Sequence, residues 1–310
     1  VGCQEAKLPR KPAASTSGNC PTSGVRCYAA RSQDAAKSAS RHAVAEQLHQ
    51  FVVIDGMLGT DGGARCATFC AERLIRLAAH SFSEQVRLSP LQGFISPQGV
   101  PLRESEAAAS SWAEALKTTF TRCDEWAIAQ GVDGACGALM CVVARSGTYV
   151  ASIGLGRAVV GTETDGGMTV LCDEVSSPHT PESEFEADRL GSSLERFPEG
   201  RPTRLLGAAL EKQTEPLLWG MPDVVRLDHE DLRRFVVLAS PNVWAQGPRQ
   251  PLHWAIEAYR SGRNPADELI ARSKGDVVAM VIVLPPGLGA EEDPIMPPHD
   301  EFAWPRAGPA

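Results

Sequence analysis

Nine cysteines, at positions 3, 20, 27, 66, 70, 123, 136, 141 and 172, are the residues with the most obvious chemistry of their own. A tetrahedral zinc site usually shows at least one tight C-x-x-C pair, and none is present. Cys66 and Cys70 lie one helical turn apart, a spacing that could bind metal. On so Ala-rich a stretch the favoured reading is two small buried residues. The odd count and the chain length argue against a disulfide scaffold. Other signatures fail quickly: there is no G-x-x-x-x-G-K-[ST], no H-E-x-x-H and no G-x-S-x-G, and the seven histidines are scattered. Gly154-Leu155-Gly156 lacks the third glycine of a dinucleotide fingerprint. What remains is a set of acidic and glycine positions at the ends of strand-like runs. Asp55–Gly56 closes one such run, Gly154 another and Ser240 a third, and Asp276 opens the last.

The elements that must position these residues alternate along the chain. Strand-type runs are expected at 51–54, 138–144, 148–153, 157–160, 168–172, 223–228, 234–240 and 277–284. Apolar positions at helical spacing predict helices over about 63–80 and from about 104 to 127. Shorter helices are expected at 181–190, 250–260 and 265–273. A loop rich in Ser, Pro and Gln is expected from Ser81 to about Leu102. Hairpin-like strand groups and long helix pairs give an α+β class, not alternating βαβ units.

With 310 residues, the chain suits one large domain or two modest ones. Residues 1–24, poor in large apolar groups, read as a mobile tail, and 286–310 as a Pro-rich acidic tail that carries Phe302 and Trp304. The folded domain is expected over 25–285. The net charge of −8 and the lack of a Lys/Arg-rich block argue against a nucleic-acid partner. The longest unbroken apolar run, Val277–Leu284, is far shorter than the ~20 residues that span a bilayer. Free thiols mildly favour the cytoplasm. A secreted location is not excluded, since the chain opens on Val and its N-terminus could be processed.

Six segments, in order, carry a resemblance. Val53-Ile54-Asp55-Gly56-Met57-Leu58-Gly59 resembles V-F-D-G-H-G-G. Asp133-Gly134-Ala135-Cys136-Gly137-Ala138 stands where S-G-S/T-T-A turns into a core strand. Ile153-Gly154-Leu155-Gly156-Arg157-Ala158 resembles V-G-D-S-R-A, and Thr203-Arg204-Leu205-Leu206-Gly207-Ala208 resembles S-R-A-L-G-D. Phe235 to Ala245 resembles F-L-V-L-A-S-D-G-L-W-D, and Ser273 to Val278 resembles S-x-D-N-I-T. The chain is thus similar to the type 2C metal-dependent Ser/Thr protein phosphatases, from about residue 24 to 285. The resemblance implies a β-sandwich of two antiparallel sheets flanked by helices on both outer faces.

It also implies a reaction: two Mg²⁺ or Mn²⁺ ions activate a bridging water that hydrolyses phosphoserine or phosphothreonine. By that resemblance Asp55 takes the place of the bridging carboxylate, Gly56 offers its carbonyl and Asp276 matches the last metal-binding aspartate. Leu155 and Pro241 stand where the family has metal-binding aspartates, and Ala208, Ala245 and Val277 replace D, D and N. Met57 stands at the histidine that is the candidate general acid. Arg31-Ser32-Gln33-Asp34-Ala35 loosely resembles R-x-x-M-E-D-A, so Gln33 replaces a glutamate, and Arg31 or Arg26 is left as the phosphate-binding arginine.

Two or three acids then face a nominal charge of +4. The expectation is a pseudophosphatase that keeps the fold without the two-metal centre, with no cofactor, or Mg or Mn if any. It would act as a protein-binding or scaffolding module in signalling, its partner a kinase, a phosphoprotein or a homologous phosphatase. The loop 81–102 and the Phe302/Trp304 segment are the candidate contact regions. The alternative is an active phosphatase that recruits acids such as Asp165, Asp173, Glu174 or Asp228. That alternative requires three or more carboxylates to converge on Asp55.

Overall fold

The computed structural model describes residues 14–19, 24–32, 39–45, 49–57, 60–88, 104–144, 146–229 and 233–288. Twelve strands and six α-helices are described. The strands are β1 (Ala14–Asn19), β2 (Arg26–Arg31), β3 (Arg41–Ala45), β4 (Gln50–Met57), β5 (Ala135–Ala144), β6 (Gly147–Ile153), β7 (Arg157–Thr164), β8 (Thr169–Glu174), β9 (Leu206–Gly207), β10 (Asp223–Leu227), β11 (Arg234–Ala239) and β12 (Val278–Leu284). The helices are α1 (Thr60–Leu88), α2 (Glu104–Ala129), α3 (Glu184–Leu190), α4 (Ala209–Thr214), α5 (Arg249–Arg260) and α6 (Pro265–Arg272). One sheet runs β1-β2-β12-β11-β7-β8; the other runs β10-β6-β5-β4-β3, with β9 added to β5.

Side chains that alternate along each strand divide the interior into three layers. Phe51 and Val53 of β4 meet Val278, Met280 and Ile282 of β12 in the core between the sheets. Val52 and Ile54 point the other way, into a layer shared with Leu74 of α1 and Leu116 and Phe120 of α2. On the far side, Ala279, Val281 and Val283 pack against Leu252 and Ile256 of α5 and Leu269 of α6. Strands buried on both faces read as continuous apolar runs rather than alternating ones. This is the expected α+β sandwich with helices outside.

Two expectations are corrected. Helix α1 continues through Ser81 to Leu88, where a loop was expected. The extension is held by Phe82 stacked on Trp112 at 3.9 Å and by Glu84 paired with Arg122. Ala14–Asn19, assigned to the N-terminal tail, pairs antiparallel with β2. Strands β2 and β3 also join the sheets without having been foreseen. The rest of the expected loop to Leu102, together with Gln33, Phe302 and Trp304, lies outside the described residues.

Candidate functional site

The site forms where β4 ends and β12 begins. Phe51 and Val53 face the core between the sheets, so the two-residue repeat aims Asp55 and Met57 along the same face at its rim. Asp276 shares the parity of Val278 and Met280 and reaches the same rim. The two carboxylates meet at Ser40, whose Oγ lies 3.0 Å from Asp55 Oδ1 and 3.2 Å from Asp276 Oδ2. Asp276 is bound further: Oδ2 accepts from the Ala39 amide at 2.9 Å, and Oδ1 from Ser32 Oγ at 3.1 Å. Ser32 is fixed in turn by the Val277 amide, which donates to its Oγ at 3.2 Å. Burial pushes the Asp55 carboxyl up to about 6; the Ser40 hydrogen bond opposes that shift and the Asp276 charge adds to it.

Gly56 is dictated by packing. A Cβ there would stand 2.5 Å from the Gly63 carbonyl oxygen and 2.6 Å from that of Ala39. Met57 is folded inward, against Ala135, Leu205, Ala208 and Leu218. Its Cε would lie 3.3 Å from a Cβ on Gly137 and 3.7 Å from one on Gly154. An apolar plug therefore fills the position expected to carry a general acid. Gly154 turns the chain with φ +92°, and its carbonyl accepts from the His179 amide at 2.9 Å. Leu155 follows, half-buried. Pro241 opens the short 3-10 turn Pro241–Trp244 and brings no acceptor side chain. The adjacent Asn242 donates its Nδ2 to the Asp276 carbonyl at 3.1 Å. Ala208 is buried in the left-handed region, φ +56°, and Val277 is buried.

Of the two candidate arginines, Arg31 is paired with Val278 at the Asp276 end of the sheet. Arg26 pairs with Val283, toward the opposite end, and is not brought to the site. Arg41, not anticipated, stands opposite Ile54 next to Asp55 in the ladder. Its guanidinium donates to the Ser40 carbonyl at 2.8 Å. Burial and the neighbouring Arg31 charge lower its proton affinity, against the pull of Asp276. Ser32, Ser40 and Asn242 were missed as well. The one signal for Ser40 was its place immediately before a short strand that itself went unread.

The acids proposed as substitutes do not assemble. Asp165 sits in the turn after β7 at φ +52°, Asp173 is exposed on β8, Glu174 pairs with Arg157, and Asp228 pairs with Arg226. Among the described residues no third carboxylate joins Asp55 and Asp276 within metal-ligand reach; the one grouping of that kind is made of thiols, Cys66, Cys70 and Cys136.

A network of charges anchors the flank of the site. Buried Glu186 accepts from Arg189 at 2.6 Å, from Arg204 Nε at 2.7 Å and from Thr203 Oγ1. Arg204 also binds Asp223 at 2.7 Å, and Asp223 reaches His179 Nε2 at 3.0 Å. The hydrogen bond to His179, helped by Arg204 and opposed by burial, holds the Asp223 carboxyl down to about 2.

Comparison with known proteins agrees with this architecture. The family model described as "Protein phosphatase 2C" matches residues 31–274. A relative named "Probable protein phosphatase 2C 8", from Oryza sativa subsp. japonica, is 30% identical over 207 residues, which cover 63% of this chain and 47% of the relative. The chain thus spans about half the length of that curated relative. The crystal structure of a serine-threonine phosphatase 2C from Toxoplasma gondii superposes with a TM-score of 0.59 at 17% identity, covering 89% of this chain and 98% of that one. A C. elegans sex determining protein superposes with a TM-score of 0.52 at 18% identity, over 76% of this chain and 56% of that one. At these identities the structural matches speak for the fold. Since the family model spans most of the sequence, the chain belongs to the protein phosphatase 2C family.

Proposed function

We propose that this chain is a pseudophosphatase: it keeps the type 2C scaffold, lacks a working two-metal centre and serves as a protein-binding module in signalling. The observation that carries the reading is the donor set at the rim. Asp55, the Gly56 carbonyl and Asp276 are the groups that would hold Mg²⁺ or Mn²⁺, and bound ions would supply an activated water. Hard dications need several carboxylate oxygens, and two of them close together repel unless acids stand between them. Here two carboxylates are tied to Ser40 and to each other's surroundings, and both oxygens of Asp276 already accept hydrogen bonds. Met57, Leu155 and Pro241 offer no ligand atom for a hard cation. The residues do not fit two ions.

The binding role is supported by the segment flanking the site. Phe185, Leu210, Trp219 and Met221 are large apolar side chains left exposed between α3 and β10. A protein partner that covered them would remove that apolar surface from water. The partner class is a kinase, a phosphoprotein or a homologous phosphatase. A second reading keeps one Mn²⁺ or Mg²⁺ ion and slow hydrolysis of phosphoserine or phosphothreonine; in its favour, Asp55 and Asp276 still face one another across Ser40. Phosphopeptide hydrolysis with Mn²⁺ or Mg²⁺ separates the two. The pseudophosphatase reading expects no turnover above that of the Asp55→Ala variant, and turnover that Asp55→Ala abolishes overturns it.

A further inference from the structure

Four of the seven described free cysteines converge on one spot behind the second sheet, on the face opposite the carboxylates, with Cys136 paired across the ladder from Gly56. Cys66 and Cys70 project from successive turns of α1, Cys136 comes from β5 and Cys123 from α2. All four are fully buried. The Cys66 and Cys136 sulfurs are 3.6 Å apart, and those of Cys66, Cys70 and Cys136 all lie within 4.8 Å of one another. Cys123 adjoins Cys70 as a hydrogen-bonding neighbour. In a tetrahedral site with metal–sulfur bonds of about 2.3 Å the sulfurs stand roughly 3.8 Å apart, close to this spacing.

We infer that Cys66, Cys70 and Cys136, with Cys123 beside Cys70, form a thiolate site for a single zinc ion, built from other residues than the family's carboxylate centre.

Three further features support the assignment. Ordinary core packing disperses small apolar residues, whereas here thiols from three separate elements are in mutual contact. The backbone makes room for them: a Cβ on Gly207 would stand 2.8 Å from Cys66 Sγ. A positive charge is also at hand: the Lys212 ammonium acts on Cys66 and would offset the negative charge of a thiolate set. Lys212 is held in place by Asp124, at 2.6 and 2.7 Å, and by the Leu205 carbonyl at 2.8 Å. Soft sulfur ligands select zinc over Mg²⁺ or Mn²⁺. Binding releases one proton per ligating thiol and changes no oxidation state. Because the sulfurs are buried, the ion enters as the chain folds, and it ties α1 to β5.

The test uses the full chain, purified under reducing conditions without oxygen and refolded with Co²⁺ or Zn²⁺. One Co²⁺ per chain is expected, with the sulfur-to-metal charge-transfer band and the intense visible bands of a tetrahedral thiolate site. Zn²⁺ should displace it and raise the melting temperature above that of the chelator-treated protein. Cys66→Ser and Cys136→Ser should each abolish the bands. Cys123→Ser should shift and weaken them, while Cys172→Ser, on the edge strand β8, leaves them unchanged. Circular dichroism checks that each variant folds, and Cys66→Ala/Cys136→Ala serves as a pair that keeps the core apolar. Reduced wild type that folds without binding Co²⁺ or Zn²⁺ overturns the proposal. So do bands that survive in the folded Cys66→Ala/Cys136→Ala protein, or a Cys66–Cys136 disulfide in the protein as isolated without oxygen. None of these outcomes depends on phosphatase activity.

Discussion

Asp55 and Asp276 share a single hydroxyl, that of Ser40, at 3.0 and 3.2 Å. A hydroxyl carries one proton and can satisfy only one of two carboxylates at a time. The arrangement is complete when Asp55 is itself protonated, donating to Ser40 while Ser40 donates to Asp276. Burial is the main cause of the raised proton affinity of Asp55; the Asp276 charge adds to it and the Ser40 hydrogen bond opposes it. In a working metal centre the cations would hold both groups ionised.

The pH dependence of stability follows. Asp55 titrates near 6 in the folded chain against 3.8 for the ordinary group, so the folded state binds the proton more tightly. The penalty for ionising it is complete above about pH 6 and is relieved as pH falls toward 4. This group alone should raise stability on the order of 2 kcal/mol over that window. Asp55→Asn should raise the melting temperature at neutral pH and flatten the profile, as followed by urea unfolding at several pH values. Asp223 works in the opposite sense. Its carboxyl is held down to about 2, so its contribution is present above the ordinary value and is lost as pH falls from 4 toward 2. Asp223→Asn should remove that acid-side loss.

Adding acids should restore metal affinity. Pro241→Asp with Leu155→Asp puts carboxylates at the two positions where the family resemblance implies metal-binding aspartates. Mn²⁺ affinity should rise at least ~10-fold, or ~1.4 kcal/mol, by calorimetric titration. Without added metal the same variant should be less stable, because the new charges repel.

Met57→His should destabilise the fold by about 1–3 kcal/mol. The imidazole would replace a thioether packed on Ala135, Leu205, Ala208 and Leu218. Thermal melts detect this, and the variant should show no turnover while the acids are missing.

Glu186→Ala should cost about 3–5 kcal/mol in urea unfolding, since it leaves Arg189 and Arg204 without their buried carboxylate. Glu186→Gln, which keeps some of the hydrogen bonds, should cost less. If the two variants were equal to wild type, the network would contribute nothing to the placement of residues 203–223.

Gly154→Ala should be severe. The residue needs φ +92°, and an added Cβ would come 2.7 Å from the Gly137 Cα. Loss of more than ~2 kcal/mol is expected from strain and contact together. The variant should lower the melting temperature accordingly.

Much of the sandwich was legible because its inner strands are buried on both faces. The runs at 51–54, 234–240 and 277–284 stand out against their polar flanks for that reason. Helix α1 was read short because Ser81 to Leu88 is mostly polar, and its contacts with α2, Phe82 on Trp112 and Glu84 with Arg122, come from tertiary structure. Strands β2 and β3 are rich in Arg and Ala and gain their partners from distant β12 and β4. The site shows the same division. Asp55, Asp276, Met57 and Pro241 were found by motif order, whereas Ser40, Ser32 and Arg41 have no local signal. Cys66 and Cys70 were visible as a helical pair, but Cys123 and Cys136 reach them only once α2 and β5 are packed against α1.

The most direct measurement is calorimetric titration of Mn²⁺ and Mg²⁺ into the reduced protein near neutral pH, beside Asp55→Ala. The account predicts no heat attributable to two bound ions and no difference between the two proteins in phosphopeptide hydrolysis. Two ions bound tightly, with binding and turnover both lost in Asp55→Ala, would contradict it.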